Sequence, residues 1–130
     1  MGAVNTDTVQ VLIVDDQQPF RSAARMVVEL ADGFEVVGEA ETGEDGVTMA
    51  RELEPDLVLM DINLPGIDGL EATRQIKASA PASARIVLVL STYESGDYET
   101  RAVEAGASAF IPKSEFGPDA LAAAWAAATS

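Results

Sequence analysis

The 130-residue sequence predicts one α/β domain built on a parallel sheet with helices on both faces. Short apolar runs alternate with segments of helical periodicity, which is typical of βαβ units with right-handed crossovers. The runs at 11–14 and 57–60 are apolar at every position, as in strands that are buried on both faces. Both runs end at an aspartate, and open α/β sheets bind ligands at this end of their strands. We therefore expect five parallel strands alternating with five helices.

The composition and the charge exclude several classes of protein. Apolar residues make up 48% of the chain, too many for a disordered protein. The chain contains no cysteine and no histidine, so any chemistry depends on carboxylates, hydroxyls and amines. The formal charge of −14, from 8 basic and 22 acidic residues, disfavours direct binding to nucleic acid and to anionic membranes. No apolar run approaches the roughly 20 residues of a membrane span, and the N-terminus does not resemble a signal peptide, so we expect a cytoplasmic protein.

After a segment at 1–8 that we expect to be disordered, the chain forms a first strand at 9–14. Pro19 fits the first turn of the following helix, because the N–H that proline lacks has no partner there. Gly33 ends this helix. The run at 34–40 predicts a second, shorter strand near an edge of the sheet.

The second helix begins at the capping-box pattern of 42–45 and ends before Pro55. The third strand follows at 57–60. The spacing of Leu70, Thr73, Ile76 and Lys77 predicts a third helix, which ends before Pro81.

The run at 85–91 is the most apolar one, which favours a central position for the fourth strand. Asp97 suits the first turn of the fourth helix, because a carboxylate interacts favourably with the positive end of the helix dipole. Gly106 ends this helix, 107–111 forms the fifth strand, and Pro118 opens the last helix.

Polar residues follow four of these strands, at the ends that a parallel sheet brings to one edge. They are Asp15 and Asp16, Asp61, Ser91 and Lys113. Three neighbouring carboxylates repel one another unless a cation joins them, and Mg²⁺ is the simplest candidate because it prefers oxygen ligands and accepts phosphates. An aspartate can attack phosphorus, and phosphoryl transfer requires no histidine base. Lys113 and Ser91 would then contact phosphoryl oxygens.

Each of these residues also has an ordinary structural explanation. Asp15 and Asp16 can cap the first helix, and Asp61 can start a turn. Ser91 can be a turn residue, and Lys113 can be a solvated residue at a strand end. A chance convergence of all of them on one edge is much rarer than any single case, so we favour a functional site.

Four segments resemble the receiver domain of two-component response regulators. They are V-L-I-V-D-D at 11–16, D-I-N-L-P-G-I-D-G at 61–69, V-L-V-L-S at 87–91 and G-A-S-A-F-I-P-K at 106–113. The resemblance covers about residues 9–127, with no output domain expected in this chain, and implies the flavodoxin-like strand order 2-1-3-4-5. The stretches at 39–43 and 110–114 are similar to regulators of the LuxR/NarL type, which carry a C-terminal helix-turn-helix.

The resemblance implies a role for each residue of the site. Asp61 would be the phosphoacceptor. Asp15 and Asp16 would hold Mg²⁺ together with Asp61, and the backbone carbonyl of Asn63 would complete the protein ligands. Lys113 would be the invariant lysine of the family.

Further residues match the positions that transmit or tune the signal in this family. Ser91 would be the switch hydroxyl, and Phe110 the aromatic residue that turns inward when the hydroxyl moves to the phosphate. Asn63 and Tyr93 flank the acceptor at positions that tune hydrolysis. Ser114 departs from the pattern, because many relatives have proline after the lysine.

The resemblance also implies partners. A histidine kinase or a phosphotransfer protein would supply the phosphoryl group, and phosphorylation would control transcription through an output domain absent here. The face formed by helix four, strand five and helix five would serve for homodimerisation. Four residues are expected in or near this face: Tyr98, Ala102, Ala105 and Phe110. The protein would assist its own phosphorylation and dephosphorylation without acting as an enzyme on a separate substrate.

Three other functions compete with this interpretation. A pseudo-receiver would bind partners without being phosphorylated, but the complete set of site residues argues against it. A phosphatase of the haloacid dehalogenase type needs a second acid where this chain has Asn63. A flavodoxin-like FMN carrier needs a hydroxyl-rich loop after the first strand, where Asp15 and Asp16 would repel the phosphate.

Overall fold

The computed structural model of the protein describes residues 8–79, 86–92 and 96–129. The strands are β1 Val9–Val14, β2 Phe34–Ala40, β3 Leu57–Asp61, β4 Ile86–Ser91 and β5 Ala109–Pro112. The helices are α1 Gln18–Leu30, α2 Gly43–Leu53, α3 Gly69–Ala78, α4 Gly96–Ala105 and α5 Pro118–Thr129, with a 3₁₀ helix at Lys113–Glu115. All strand pairs are parallel, and the strand order is β2-β1-β3-β4-β5, as predicted.

The core lies on both faces of the sheet, because each inner strand contributes alternate residues to opposite sides. One apolar cluster contains Val58 and Met60 of β3 together with residues of α2, α3 and α4. The other contains Leu57 and Leu59 of the same strand together with residues of α1 and α5. The strand β3 lies in the middle of the sheet, and all five of its residues are buried.

Local signals in the sequence begin the helices where they were expected. The side chain of Thr42 accepts a hydrogen bond from the N–H of Asp45 at 3.0 Å and so caps α2. Asp68, a cap that the sequence interpretation did not identify, caps α3 in the same way and accepts from the N–H of Glu71 at 2.8 Å. Each cap of this kind stabilises the fold by about 1 kcal/mol. Pro19 lies in the first turn of α1.

Three expectations about the strands were wrong in detail. The strand β2 lies at an edge with the predicted bounds of 34–40, but its 7 residues make it longer than β1, which has 6. The strand β4 is interior, one place from the middle, because β3 is the central strand. The strand β5 begins at Ala109 instead of 107, because the N–H of Ala107 closes the end of α4 by donating to the carbonyl of Ala102 at 2.9 Å.

Several sequence expectations fall on positions outside the described residues: the segment at 1–7, Pro81, residue 85 and Tyr93. Among the described residues every peptide bond is trans, including the one between Lys113 and Ser114. In the same part of the chain, each helix is too short or too polar to cross a lipid bilayer.

Candidate functional site

The carboxyl edge of the sheet brings three acidic side chains together. Carboxylate oxygens of Asp15, Asp16 and Asp61 all lie within 4.8 Å of one another. Asp15 directly follows β1, and Asp61 is the last residue of β3, the neighbouring strand. Asp15 and Asp61 are buried, whereas Asp16 is exposed. The topology therefore produces a cluster of oxygen ligands that is open to solvent on one side.

Lys113 reaches this cluster from the end of β5, which is an edge strand of the sheet. It follows β5, and its Nζ lies 2.7 Å from Oδ2 of Asp15 and 3.4 Å from Oδ1 of Asp61. The lysine side chain is only 10% exposed, so water screens these ion pairs weakly. The ammonium group also lies 4.2 Å from the centroid of the Phe20 ring.

The side chain and the backbone of Asp15 both form hydrogen bonds. Its Oδ1 accepts a hydrogen bond from the N–H of Gln17 at 2.8 Å, just before α1. Its carbonyl accepts from Nη1 of Arg21 at 2.8 Å, and its N–H donates to the carbonyl of Ala40 at 3.0 Å. Asp15 therefore holds the chain just before α1 and faces the acidic cluster as well. The N-cap residue of α1 is Gln17, so the alternative that Asp15 and Asp16 cap this helix was wrong.

Arg21 is a residue of the site that the sequence interpretation missed. It is buried in α1, and its Nε donates to Glu39 of β2 at 3.2 Å. A charged residue on the same helix face as Ala24 and Val28 was the available signal, since both of these positions are fully buried. Glu39 also binds Arg25 at 2.7 Å, and this contact is the main reason why the pKa of Arg25 is raised.

Asp61 is the carboxylate of the cluster whose charged form is disfavoured by its surroundings. Its pKa is raised from 3.8 to about 6, mainly by burial and next by repulsion from Asp15. Lys113 and the backbone N–H of Asn63 lower the pKa of Asp61, but they do not cancel the increase. Two buried carboxylates thus share a single ammonium group, and a divalent cation would balance the remaining charge. The oxygen donors present fit such an ion.

The loop after Asp61 is held by contacts with α2 and α3. A Cβ atom at Gly69 would collide with the carbonyl of Asp61, so only glycine permits this approach. The carboxylate of Glu44, in the first turn of α2, accepts a hydrogen bond from the N–H of Ile67 at 3.2 Å. These contacts hold the two ends of the segment that carries Asn63.

An open pocket of about 140 Å³ lies above the carboxylates. It is lined by Asp16, Gln17, Asp61, Asn63, Thr92 and Lys113. Gln17 and Thr92 were not identified from the sequence, although each directly follows a residue that was. A pocket with this lining has room for a small anionic group beside the oxygen cluster and the ammonium group of Lys113.

Ser91 and Phe110 are not among the described residues that line the pocket. Ser91 is the fully buried last residue of β4, and the described pocket lining does not include it. Phe110 is half-buried in β5, opposite Val89, and packs against the apolar cluster on the side of α2, α3 and α4. Because Val89 and Ser91 point to the same face of the sheet, the hydroxyl and the aromatic ring lie on one face, on adjacent strands.

Two of the four residues that were expected in or near the dimer face are buried. Ala102 and Ala105 are buried against the sheet, so neither can contact a second molecule. Tyr98 and Phe110 are half-buried, and Val103 on α4 is 56% exposed. Residue type along α4 could not separate these positions, because the exposed Val103 is more apolar than either of the two buried alanines.

Comparison with known proteins agrees with this fold and this arrangement. The sequence profile of the response regulator receiver domain matches residues 11–126. The chain belongs to this family. The transcriptional regulatory protein DegU of Brevibacillus brevis is 39% identical over 118 residues, which are 91% of this chain and 49% of that protein. The response regulator GacA of Pseudomonas aeruginosa is 42% identical over 105 residues, 81% of this chain and 48% of its own length.

Solved structures support the same assignment. A two-component response regulator of the LuxR family from Aurantimonas sp. SI85-9A1 is 33% identical, with a TM-score of 0.85 over 94% of this chain and 86% of that one. The response regulator domain of Thermotoga maritima CheB is 29% identical, with a TM-score of 0.83 over 95% and 98% of the two chains. The chain is thus a receiver domain similar to LuxR-type regulators, and it spans about half the length of the curated relatives that it matches.

Proposed function

We propose that this receiver domain accepts a phosphoryl group on Asp61 from the phosphohistidine of a histidine kinase or a phosphotransfer protein. One observation carries the proposal: a buried carboxylate beside a buried ammonium group and two further carboxylates, at the base of an open pocket. A nucleophilic oxygen and a positive charge for the transferred group are the main requirements of phosphoryl transfer.

In this reaction a carboxylate oxygen of Asp61 attacks phosphorus, the bond from phosphorus to the donor imidazole breaks, and an acyl phosphate forms on Asp61. Lys113 holds its positive charge close to the phosphoryl oxygens, because its Nζ already lies 3.4 Å from Oδ1 of Asp61. Asp15 and Asp16, with the backbone carbonyl of Asn63, would hold Mg²⁺. When bound, this ion supplies charge neutralisation to the phosphoryl group.

Two residues outside the described pocket lining, Ser91 and Phe110, would then respond to the phosphoryl group. Ser91 moves its hydroxyl toward a phosphoryl oxygen. The ring of Phe110, on the same face of the sheet, then turns inward into the space that the hydroxyl has left. This movement changes the surface formed by α4, β5 and α5, as expected for a two-state phosphorylation switch. Asn63, at the pocket rim, and Tyr93 tune the hydrolysis of the acyl phosphate.

The consequence of the switch would be the control of transcription through an output domain. The relatives DegU and GacA are named as a transcriptional regulatory protein and a response regulator. Homodimerisation through the α4-β5-α5 surface would use Val103 instead of the buried alanines. The domain assists its own phosphorylation and dephosphorylation and has no separate substrate.

Labelling with a small acyl phosphate tests the proposal. We expect acetyl phosphate and Mg²⁺ to add the mass of one phosphoryl group to the intact protein. The Asp61→Asn variant should remain unlabelled, whereas Asp32→Asn, at an exposed aspartate in the turn after α1, should label like the original protein. A folded protein that takes up no label would favour the pseudo-receiver, and turnover of phosphate monoesters would favour a phosphatase.

A further inference from the structure

Phe20, in the first turn of α1, presents its ring to the ammonium group of Lys113. The Nζ lies 4.2 Å from the ring centroid, within the range in which an aromatic face attracts a cation. Because the lysine side chain is 10% exposed, water competes weakly for the charge. In the described part of the chain the ammonium group therefore interacts with a ring as well as with the carboxylates of Asp15 and Asp61.

The ring is held by the same segment that carries the lysine. The centroids of the Phe20 and Phe116 rings are 6.4 Å apart, with their planes tilted by 45°. Phe116 follows the 3₁₀ helix that begins at Lys113, and its N–H donates to the carbonyl of Lys113 at 3.2 Å. These three residues form a closed set of contacts, so the position of the ring and the position of the ammonium group depend on each other.

A ring does something that the carboxylates cannot do. A lysine ammonium group has three N–H donors, and each hydrogen bond to a carboxylate uses one of them. An aromatic face attracts the whole charge and does not require a particular N–H direction. The ammonium group of Lys113 can therefore turn a donor from Asp61 toward another acceptor in the pocket without losing its contact with Phe20.

We propose that Phe20 is a positioning residue for Lys113, holding the ammonium group beside Asp15 and Asp61 where it faces the pocket. The effect of this placement on the reaction rests on the proposed phosphoryl transfer. The placement itself does not, because it depends only on the contact between the ring and the ammonium group. The two can therefore be tested separately.

Three variants separate the role of the ring from that of apolar volume. Phe20→Leu removes the aromatic face and keeps an apolar side chain, whereas Phe20→Tyr keeps the face. Phe34→Leu is the matched control, because Phe34 is half-buried in the same apolar cluster but pairs with Trp125, at 6.2 Å. Urea denaturation establishes that each variant is folded, and Phe20→Met replaces Phe20→Leu if the latter is not.

The placement is tested by nuclear magnetic resonance of the Lys113 ε-methylene protons. A ring beneath the ammonium group shifts these protons upfield. We expect the shift in the original protein, in Phe20→Tyr and in Phe34→Leu, and we expect the Phe20→Leu resonance to approach that of a solvated lysine. An unchanged resonance in Phe20→Leu would overturn the proposal.

The consequence is tested by the initial rate of labelling with acetyl phosphate and Mg²⁺. We expect Phe20→Leu to label about fivefold more slowly, with Phe20→Tyr and Phe34→Leu close to the original protein. A Phe20→Leu rate equal to the original rate would overturn the role in positioning for reaction. If the original protein takes up no label, the proposed function fails, while the resonance of Lys113 still decides whether Phe20 places the lysine.

Discussion

Asp15 and Asp61 are buried carboxylates at the ends of adjacent strands, but the protein treats them differently. Asp15 accepts hydrogen bonds from Gln17, Arg21 and Lys113, with distances of 2.7 to 2.8 Å. Asp61 has a longer contact with Lys113, at 3.4 Å, and its pKa is raised to about 6 by burial and by Asp15. The carboxylate of Asp15 is fixed in place by hydrogen bonds. The ionised carboxylate of Asp61 lowers the stability of the folded state, because it is buried and poorly compensated.

This difference suits two different tasks. A carboxylate that is fixed by its own chain can act as a metal ligand with a constant geometry. A carboxylate that is poorly compensated gains most from an incoming positive charge or from conversion into another group. The comparison therefore predicts that changes around Asp15 weaken the fold, whereas neutralisation of Asp61 strengthens it.

The largest effect is expected from Arg21→Met, which removes the donor to the Asp15 carbonyl and the buried partner of Glu39. Loss of one member of a buried charged network should lower the free energy of unfolding by about 3 kcal/mol. Arg25→Met is the control, because Arg25 also binds Glu39 but its side chain is 43% exposed. We expect it to cost less than about 1 kcal/mol in urea denaturation. Equal losses in the two variants would contradict the special support of Asp15.

A smaller and opposite effect is expected from Asp61→Asn. The pKa of Asp61 is about 6 in the folded chain and near 3.8 in the unfolded one, so the folded state holds its proton to higher pH. Stability is therefore lost as the pH rises through this window. Without divalent ions, the variant should be more stable than the original protein by about 1 to 3 kcal/mol at pH values well above 6.

This advantage should disappear when the pH falls below the unfolded pKa of Asp61, because the carboxyl is then protonated in both states. Thermal denaturation at several pH values measures it, with Asp32→Asn as the control at an exposed aspartate. A variant that is less stable than the original protein at neutral pH would show that Asp61 is as well compensated as Asp15.

The smallest effect concerns Mg²⁺, which should reduce the contrast between the two carboxylates. A ligand that binds only the folded state at about ten times its dissociation constant adds about 1.4 kcal/mol of stability. We expect this increase in the original protein and a clearly smaller one in Asp16→Asn. Sodium chloride of equal ionic strength is the control, because screening alone also stabilises a chain with a net charge of −14. Equal increases in the two proteins would contradict a metal site at the three carboxylates.

Much of the fold could be predicted from local signals along the chain. The apolar residues of 57–60 predicted a strand buried on both faces, and Thr42 and Pro19 predicted the starts of two helices. These signals work because burial pattern and backbone geometry depend on neighbouring residues. The start of β5 could not be predicted in this way, since it depends on how α4 ends.

The members of the acidic cluster could be named from the sequence because a parallel sheet brings the carboxyl ends of its strands to one edge. Only the tertiary structure decided how they interact. Arg21 and Phe20 had the appearance of ordinary helix residues, but the packing of α1 places one against the Asp15 carbonyl and the other beneath Lys113. Chain order and residue type determine which groups meet at the edge of the sheet. The distances between these groups and their burial follow from the packing of segments that are far apart in the chain, and their pKa values depend on both.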